Sequence, residues 1–309
     1  MQSWRSDQQA KFKEWKAKFN KNYKSPQDEQ AAMDKMLKNH DEIDAHNQKF
    51  KAGKVSFERG LWKRSDLSLD EKKQVLAGAK SLKTNSTTLL QAAPRKFKAA
   101  PASLNWVDAG LVHPVDDQRM CGSCYAFATV GVVEGVMLKK NCTTRLSVQQ
   151  IVDCDKVDEG CSGGEPINTL KWVKNNGLGS ATNYPYTSKE EKCQQNAPIS
   201  QISSVGKVTL NGNEKRLKDF VANYGPVAVA INAADSLMNY KSGVYNNPKC
   251  PKQQDHAVLL VGYGTDLKFG DYWLVKNSWG DSWGENGYVR MARNKKNQCG
   301  IATSVYFAT

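Results

Sequence analysis

The sequence predicts an α+β protein: a helical N-terminal third, then a portion that is helical first and β-rich after. The second portion is expected to form two subdomains with a cleft between them. Three observations predict this. Apolar residues recur at helical spacing before residue 50, one segment after residue 120 is apolar almost all round, and short β-branched runs alternate with turn signals beyond about residue 205.

Phe12, Trp15 and Phe19 stand at i, i+3 and i+7, the spacing of one helix face, and Met36, Asn39, Ile43 and Asn47 continue similar spacing on a second helix over 28–50. After Leu82 the composition turns polar and proline-punctuated, first T-N-S-T-T and then Q-A-A-P-R-K-F-K-A-A-P, as a linker or processing site does. Two units are therefore expected, 1–99 and 100–309, with no internal repeat. Residues 124–140 read as a buried helix. V-G-K-V-T-L, P-V-A-V-A-I, A-V-L-L-V-G-Y-G, Y-W-L-V-K-N-S-W and G-Y-V-R-M-A-R read as antiparallel strands.

The net charge of +13 suggests a polyanion binder until it is located. Residues 1–100 hold 22 Lys and Arg against 12 Asp and Glu, whereas the remaining 209 hold 22 against 19. The excess is scattered through helix-like sequence, so a solvated face is favoured over a nucleic-acid surface. No apolar run is long enough to span a membrane, so no membrane insertion is expected. The opening M-Q-S-W-R-S-D-Q-Q-A-K lacks the apolar core of a secretory signal. Eight cysteines, none before Cys121, nevertheless point to an oxidising compartment. Sequons at Asn85 and Asn141 agree weakly with that.

Two cysteines lie three positions apart in Q-R-M-C-G-S-C-Y-A-F, residues 118–127. Such a pair serves a redox dithiol, half of a zinc site, or a nucleophile beside an unrelated disulfide. Zinc wants a second C-x-x-C or H-x-x-x-H; no other cysteine pair has that spacing, and His40 and His46 lie in the cysteine-free N-terminal part. A redox dithiol gains from heading a predicted helix, but the sequence before Cys121 is not the strand of a βαβ unit. A nucleophilic thiolate needs a histidine, and only His113 and His256 lie outside the N-terminal part. His256 stands at the mouth of a predicted strand. Asn277, two turns further on, is a candidate to orient its ring, with Trp279 and Trp283 placed to shield that bond.

C-G-S-C-Y, with His256 and Asn277 following Cys124 by 132 and 153 residues, resembles the signature of papain-family cysteine proteases. The chain resembles a proenzyme of that family, cathepsin L-like in layout, over 101–309 and more loosely over 10–70. The resemblance implies a papain-like fold: a helical subdomain and an antiparallel β-barrel-like subdomain, preceded by a helical inhibitory prosegment. It implies Cys124 as nucleophile, His256 as general acid/base, Asn277 as orienter of the imidazole and Gln118 as oxyanion donor. A helix N-terminus and a facing imidazole are expected to lower the thiol pKa to ~3–4. The family pattern implies disulfides Cys121–Cys161, Cys154–Cys193 and Cys250–Cys299. Cys124 then stays free, and Cys142 is left over as a buried bystander.

By the same resemblance Gly164 pairs with the substrate backbone. Pro166, Ala230, Ala257 and Ser304 line a pocket for a hydrophobic side chain, with Glu165 and Gln254 near its rim. The expected activity is endopeptidase cleavage through an acyl-enzyme, with no cofactor and no metal. The expected partners are protein and peptide substrates and the chain's own prosegment, with no nucleic acid, in a lysosomal or extracellular monomer. In the prosegment, Asn39, Ile43 and Asn47 match the family helix, while Asp28, Ala32 and Met36 stand where it carries Glu, Arg and Phe. A later element is reduced to W-K-R-S-D, keeping Asp66, and cleavage is expected near Ala100–Pro101. Tyr125 replaces the tryptophan most members carry after the nucleophile. The rival readings are a non-catalytic homologue that binds peptides or proteins, and a thiol–disulfide oxidoreductase.

Overall fold

The structure is a computed structural model that describes residues 2–76, 78–79 and 97–309. It opens with helices α1 (Gln2–Lys18) and α2 (Pro26–Lys51). Ser25 caps α2 by accepting the Asp28 N–H, and Pro26 occupies the first turn, where a missing N–H costs nothing. Phe12 and Trp15 bury against Ala32, Met36 and Leu37, with Phe19 at the edge of the cluster. Two of the three positions that depart from the family helix, Ala32 and Met36, thus serve an apolar contact, while Asp28 takes part in the cap with Ser25.

Asn39 and Asn47 act on the segment that follows. Asn39 donates to the Ser65 carbonyl at 2.7 Å, and Asn47 exchanges two 2.9 Å bonds with the Arg59 backbone. That segment holds strand β1 (Phe57–Arg59) and helix α3 (Leu69–Leu76), whose start carries a reciprocal Ser68–Glu71 capping box. The expected linker and the Asn85 sequon lie almost wholly outside the described residues.

After β2 (Leu104–Asn105) come α4 (Cys124–Leu138), α5 (Val148–Cys154) and α6 (Pro166–Asn176). The β-rich part follows: β3 (Val205–Thr209), α7 (Glu214–Tyr224), β4 (Val227–Ile231), α8 (Asp235–Met238), β5 (Tyr240–Tyr245), β6 (His256–Asp266), β7 (Gly270–Lys276), β8 (Tyr288–Ala292) and β9 (Ser304–Ala308). The sheet order is β1-β5-β8-β7-β6-β4-β9-β3, with β2 added on β6.

Period-2 alternation divides the sheet between two cores. Ala228, Ala257, Leu259 and Val261 face the α4 side, while Val227, Val229, Val258 and Leu260 face a core rich in aromatic residues. Helix α4 is apolar all round because α5, α6 and the sheet surround it. The five predicted strand segments all form strands.

Three details differ from expectation. The sheet is an open path, not a barrel-like closure, and β5 pairs with β8 in parallel. Strand β1, in a third read as helical, pairs antiparallel with β5, so the N-terminal third extends the sheet of the larger part. Strands β5 and β9 were also not foreseen. The disulfides are Cys121–Cys161, Cys154–Cys193 and Cys250–Cys299, leaving Cys124 and Cys142 as thiols among the described residues. Cys142 packs half-buried beside the α4 core. No helix among the described residues is long and apolar enough to cross a membrane.

Candidate active site

Cys124 is the first residue of α4, and it is fully buried. The turn that delivers it is held in place from several sides. The Cys121–Cys161 disulfide and a 2.9 Å bond from Gly122 N–H to the Cys161 carbonyl tie it to the 160–164 loop. Ser123, the N-cap residue, makes no capping bond; its hydroxyl pairs with the Tyr186 hydroxyl at 2.6 Å. Tyr186 in turn donates to the Gln118 carbonyl at 2.9 Å.

His256 opens β6, and the next residue, Ala257, donates its N–H to Cys124 Sγ at 3.4 Å. The start of β6 therefore lies against the thiol. His256 Nε2 bonds Asn277 Oδ1 at 2.8 Å, and Asn277 sits just past the end of β7, the hairpin partner of β6. Asn277 Oδ1 also accepts the Ser278 N–H at 2.8 Å, which fixes the amide's orientation. Trp279 stacks on the His256 ring with centroids 4.8 Å apart, and Trp283 meets Trp279 edge-on at 5.0 Å. Both indoles are fully buried, so they shield the His256–Asn277 bond from water.

Gln118 is buried beside the same turn. Its Oε1 accepts from Ser278 Oγ at 2.7 Å, which directs the amide nitrogen toward the Cys121 carbonyl, 3.0 Å away. Reading the sequence gave Ser278 and Tyr186 no role. Each works on a partner tens to hundreds of residues away, and no local pattern marks such a pairing. His113 stands elsewhere, its carbonyl accepting from Lys276 at 2.8 Å.

The residues expected to bind substrate fall on both sides of the thiol. Gly164 lies on the loop stapled to Cys121. Pro166 opens α6, and Ala230 pairs with Ala257 across β4 and β6. Continuing the β4–β9 register brings Ser304 opposite Ala230. Gln254 bonds the carbonyls of Ala230 and Gly300 at 2.6 and 2.8 Å. Glu165 is not at a rim: it is buried and ion-paired with Lys207, because a carboxylate facing that core needs a cation.

The N-terminal segment occupies the cleft. Gly78 and Ala79 donate to the Asp255 carbonyl at 3.0 and 2.9 Å, the Gly78 carbonyl accepts the Gly164 N–H at 2.9 Å, and Ala79 pairs with Gly164 in parallel. A side chain at Gly78 would strike the Gly122 carbonyl, so the chain passes flush over the turn that carries Cys124. Farther out, Trp62 stacks on Trp279 at 5.9 Å, and Arg64 pairs with Asp117 and donates to the Trp279 carbonyl at 3.3 Å.

This cover changes the thiol. Burial pushes Cys124 up to about 12, although backbone N–H groups of Ala257, Tyr125 and Gly78 pull the other way. The expected lowering is therefore not the state of this closed form, because taking the thiol out of water disfavours its charge.

Residues 100–309 match the family model described as Papain family cysteine protease, and residues 12–71 match Cathepsin propeptide inhibitor domain (I29). The chain is 41% identical over 308 residues to cathepsin L of Sarcophaga peregrina, covering 96% of this chain and 91% of that one. It is 37% identical over 309 residues to procathepsin L of Mus musculus, with the same coverage of both chains. The solved structure of digestive procathepsin L2 proteinase from Tenebrio molitor larval midgut superposes with a TM-score of 0.89 at 34% identity, covering 98% of this chain and 99% of that one. With a peptidase domain, an inhibitor-type propeptide and a structural neighbour that is a procathepsin L, the chain belongs to the papain family of cysteine proteases, as a cathepsin L-like proenzyme.

Proposed function

We propose that the activated chain is an endopeptidase that cleaves peptide bonds through a thioester on Cys124. The observation that carries this reading is the juxtaposition of the thiol at the start of α4 with the start of β6, where His256 is bonded to Asn277 just past β7. Asn277 takes up Nε2, so Nδ1 is the nitrogen that exchanges the proton with Sγ. The thiolate attacks the substrate carbonyl carbon. The oxyanion that forms is met by the Cys124 N–H and by a Gln118 amide hydrogen, donors that carry no charge to quench the thiolate. As the C–N bond breaks, His256 gives its proton to the leaving amine. Water, deprotonated by His256, then attacks the thioester and releases the acid.

Gly164 supplies the N–H that meets the substrate backbone, a group now taken up by Gly78. Pro166, Ala230, Ala257 and Ser304 offer small or apolar surface without fixed charge, which suits a hydrophobic side chain two residues before the scissile bond. Inhibition follows from the same contacts. The Gly78 carbonyl is committed to the Gly164 N–H, so the segment takes the backbone edge that an extended substrate would use. Residues 1–99 form the removable unit and 100–309 the peptidase, with release by cleavage near Ala100–Pro101, in a lysosomal or extracellular setting and as a monomer.

Acid-incubated protein treated with a cysteine-directed epoxide tests the proposal, with hydrolysis of a hydrophobic peptide followed alongside. Labelling of Cys124 only after loss of residues 1–100, together with hydrolysis, is expected. Labelling without hydrolysis would point to a peptide-binding homologue.

A further inference from the structure

We propose that Tyr125 is a positioning residue for the substrate-binding edge, holding Gly164 at the depth where an extended peptide pairs with it. This rests on the reading of Gly164 as the substrate's backbone partner and extends that reading by one residue.

Tyr125 follows the nucleophile in the first turn of α4 and is fully buried. Its hydroxyl donates to the Gly160 carbonyl at 3.0 Å. Its ring lies under Gly164: a Cβ placed there would stand 2.7 Å from both Cδ2 and Cε2. The same Cβ would stand 2.6 Å from Asp158 Cγ. Gly164 lies outside the left-handed region, so contact with these two side chains requires the glycine, not conformation. Asp158 holds the far side, accepting the Glu165 N–H at 3.0 Å and the Thr169 hydroxyl at 2.8 Å.

Three ties join the nucleophile's segment to this loop. Two of them, the Cys121–Cys161 disulfide and the Gly122–Cys161 bond, meet at the same residue. Beyond Cys161 the chain turns through Gly163 at a φ of +113°, and the Gly163 carbonyl accepts the Glu159 N–H at 2.8 Å, so the Gly164 plane is referenced to residues 159–160 and not to the staple at Cys161. The third tie is Tyr125, which bonds the loop before the turn and supports it with its ring after the turn. Because Tyr125 is helical with Cys124, the substrate edge is referenced to the reacting sulfur. The hydroxyl is the part that matters: apart from it, the Gly160 carbonyl meets, among the described residues, only the Gly163 N–H, at a long 3.5 Å.

The test uses Tyr125→Phe in the full-length chain, activated by acid, with active sites counted by titration with a cysteine-directed inhibitor. Two blocked esters are compared, one peptidyl and long enough to reach Gly164, the other a single residue. Loss of one buried hydrogen bond is expected to raise KM for the peptidyl ester about five-fold. The kcat for that ester, the kcat/KM for the short ester and the rate of Cys124 alkylation should hold within about two-fold. If wild type itself makes no distinction between the esters, the Gly164 reading fails. If wild type distinguishes them and Tyr125→Phe leaves the distinction intact, the Tyr125 proposal fails. If both esters and alkylation fall together, Tyr125 is structural only, and the proposal fails again.

Discussion

Cys124 has surroundings that pull its thiol in opposite directions. Burial under Gly78 raises it to about 12, while backbone donors at the start of α4 and β6 lower it. Removing the cover admits water and takes away the Gly78 N–H, but it leaves the Ala257 and Tyr125 N–H groups in place. Alkylation by iodoacetamide at pH 7 should therefore be at least ~100-fold faster in the activated chain than in the intact one. Equal rates in the two forms would sink that account. Ser278 acts on the amide of Gln118, not on substrate. Ser278→Ala should lower kcat about ten-fold with KM unchanged, less than the hundred-fold or more expected from Gln118→Ala. Steady-state kinetics on titrated enzyme decide this, and an effect of Ser278→Ala confined to KM would reject it. The local sequence around Cys124, His256 and Asn277 marked these residues because each sits in a distinctive short motif. Ser278 and Tyr186 were not legible, since their partners lie 160 and 68 residues away.

Helix α4 carries a second buried acid, Glu134, where it packs against the sheet. Burial pushes its carboxyl up to about 7, with the Leu146 N–H, Lys276 and Arg145 pulling it down and Asp116 adding to the rise. Its Oε1 accepts the Leu146 N–H at 2.9 Å. The folded state thus holds a proton that the unfolded chain releases above about 4.5. The associated stability is fully present below that value and is lost as pH rises through about 7. Glu134→Gln keeps the acceptor but removes the titration, so it should cancel a pH-dependent loss of up to about 3 kcal/mol. Thermal unfolding between pH 4.5 and 8, in a Cys124→Ser background that cannot cleave itself, measures the difference. Parallel curves for the two chains would refute it. Elements as such were the most legible level. Helices α1 and α2 are announced by period, α4 by an apolar run on every face and the five strands by β-branched runs between turn signals, whereas β1, β5 and β9 form because an edge or a neighbouring strand is available to pair with.

Across the whole molecule, the N-terminal third holds the cleft shut through contacts far from the thiol. Strand β1 extends the sheet at β5, Arg64 pairs with Asp117, and Trp62 lies on Trp279, which itself covers His256. Trp15 locks the arrangement by donating from its indole to the Trp62 carbonyl at 3.0 Å. A fully buried interface tryptophan is the kind of residue whose truncation costs ~2 kcal/mol or more. Trp62→Ala should therefore speed alkylation of Cys124 in the intact chain at pH 7 by at least about 30-fold. The chain must remain full length on a gel, and an unchanged rate would show that closure depends on the 78–79 segment alone.

The fold class and the family are legible from the residues alone, and so are Cys124, His256 and Asn277 as the proposed nucleophile and its helpers, because these rest on local spacing and short motifs. Tertiary structure alone decided the charge state of the thiol, the burial of Glu165 on Lys207, the open sheet with its parallel pair and the strand that the N-terminal third adds to it. Each of these depends on what covers or faces a group. That is settled by residues distant in the chain, through desolvation and long-range pairing that no window of sequence contains.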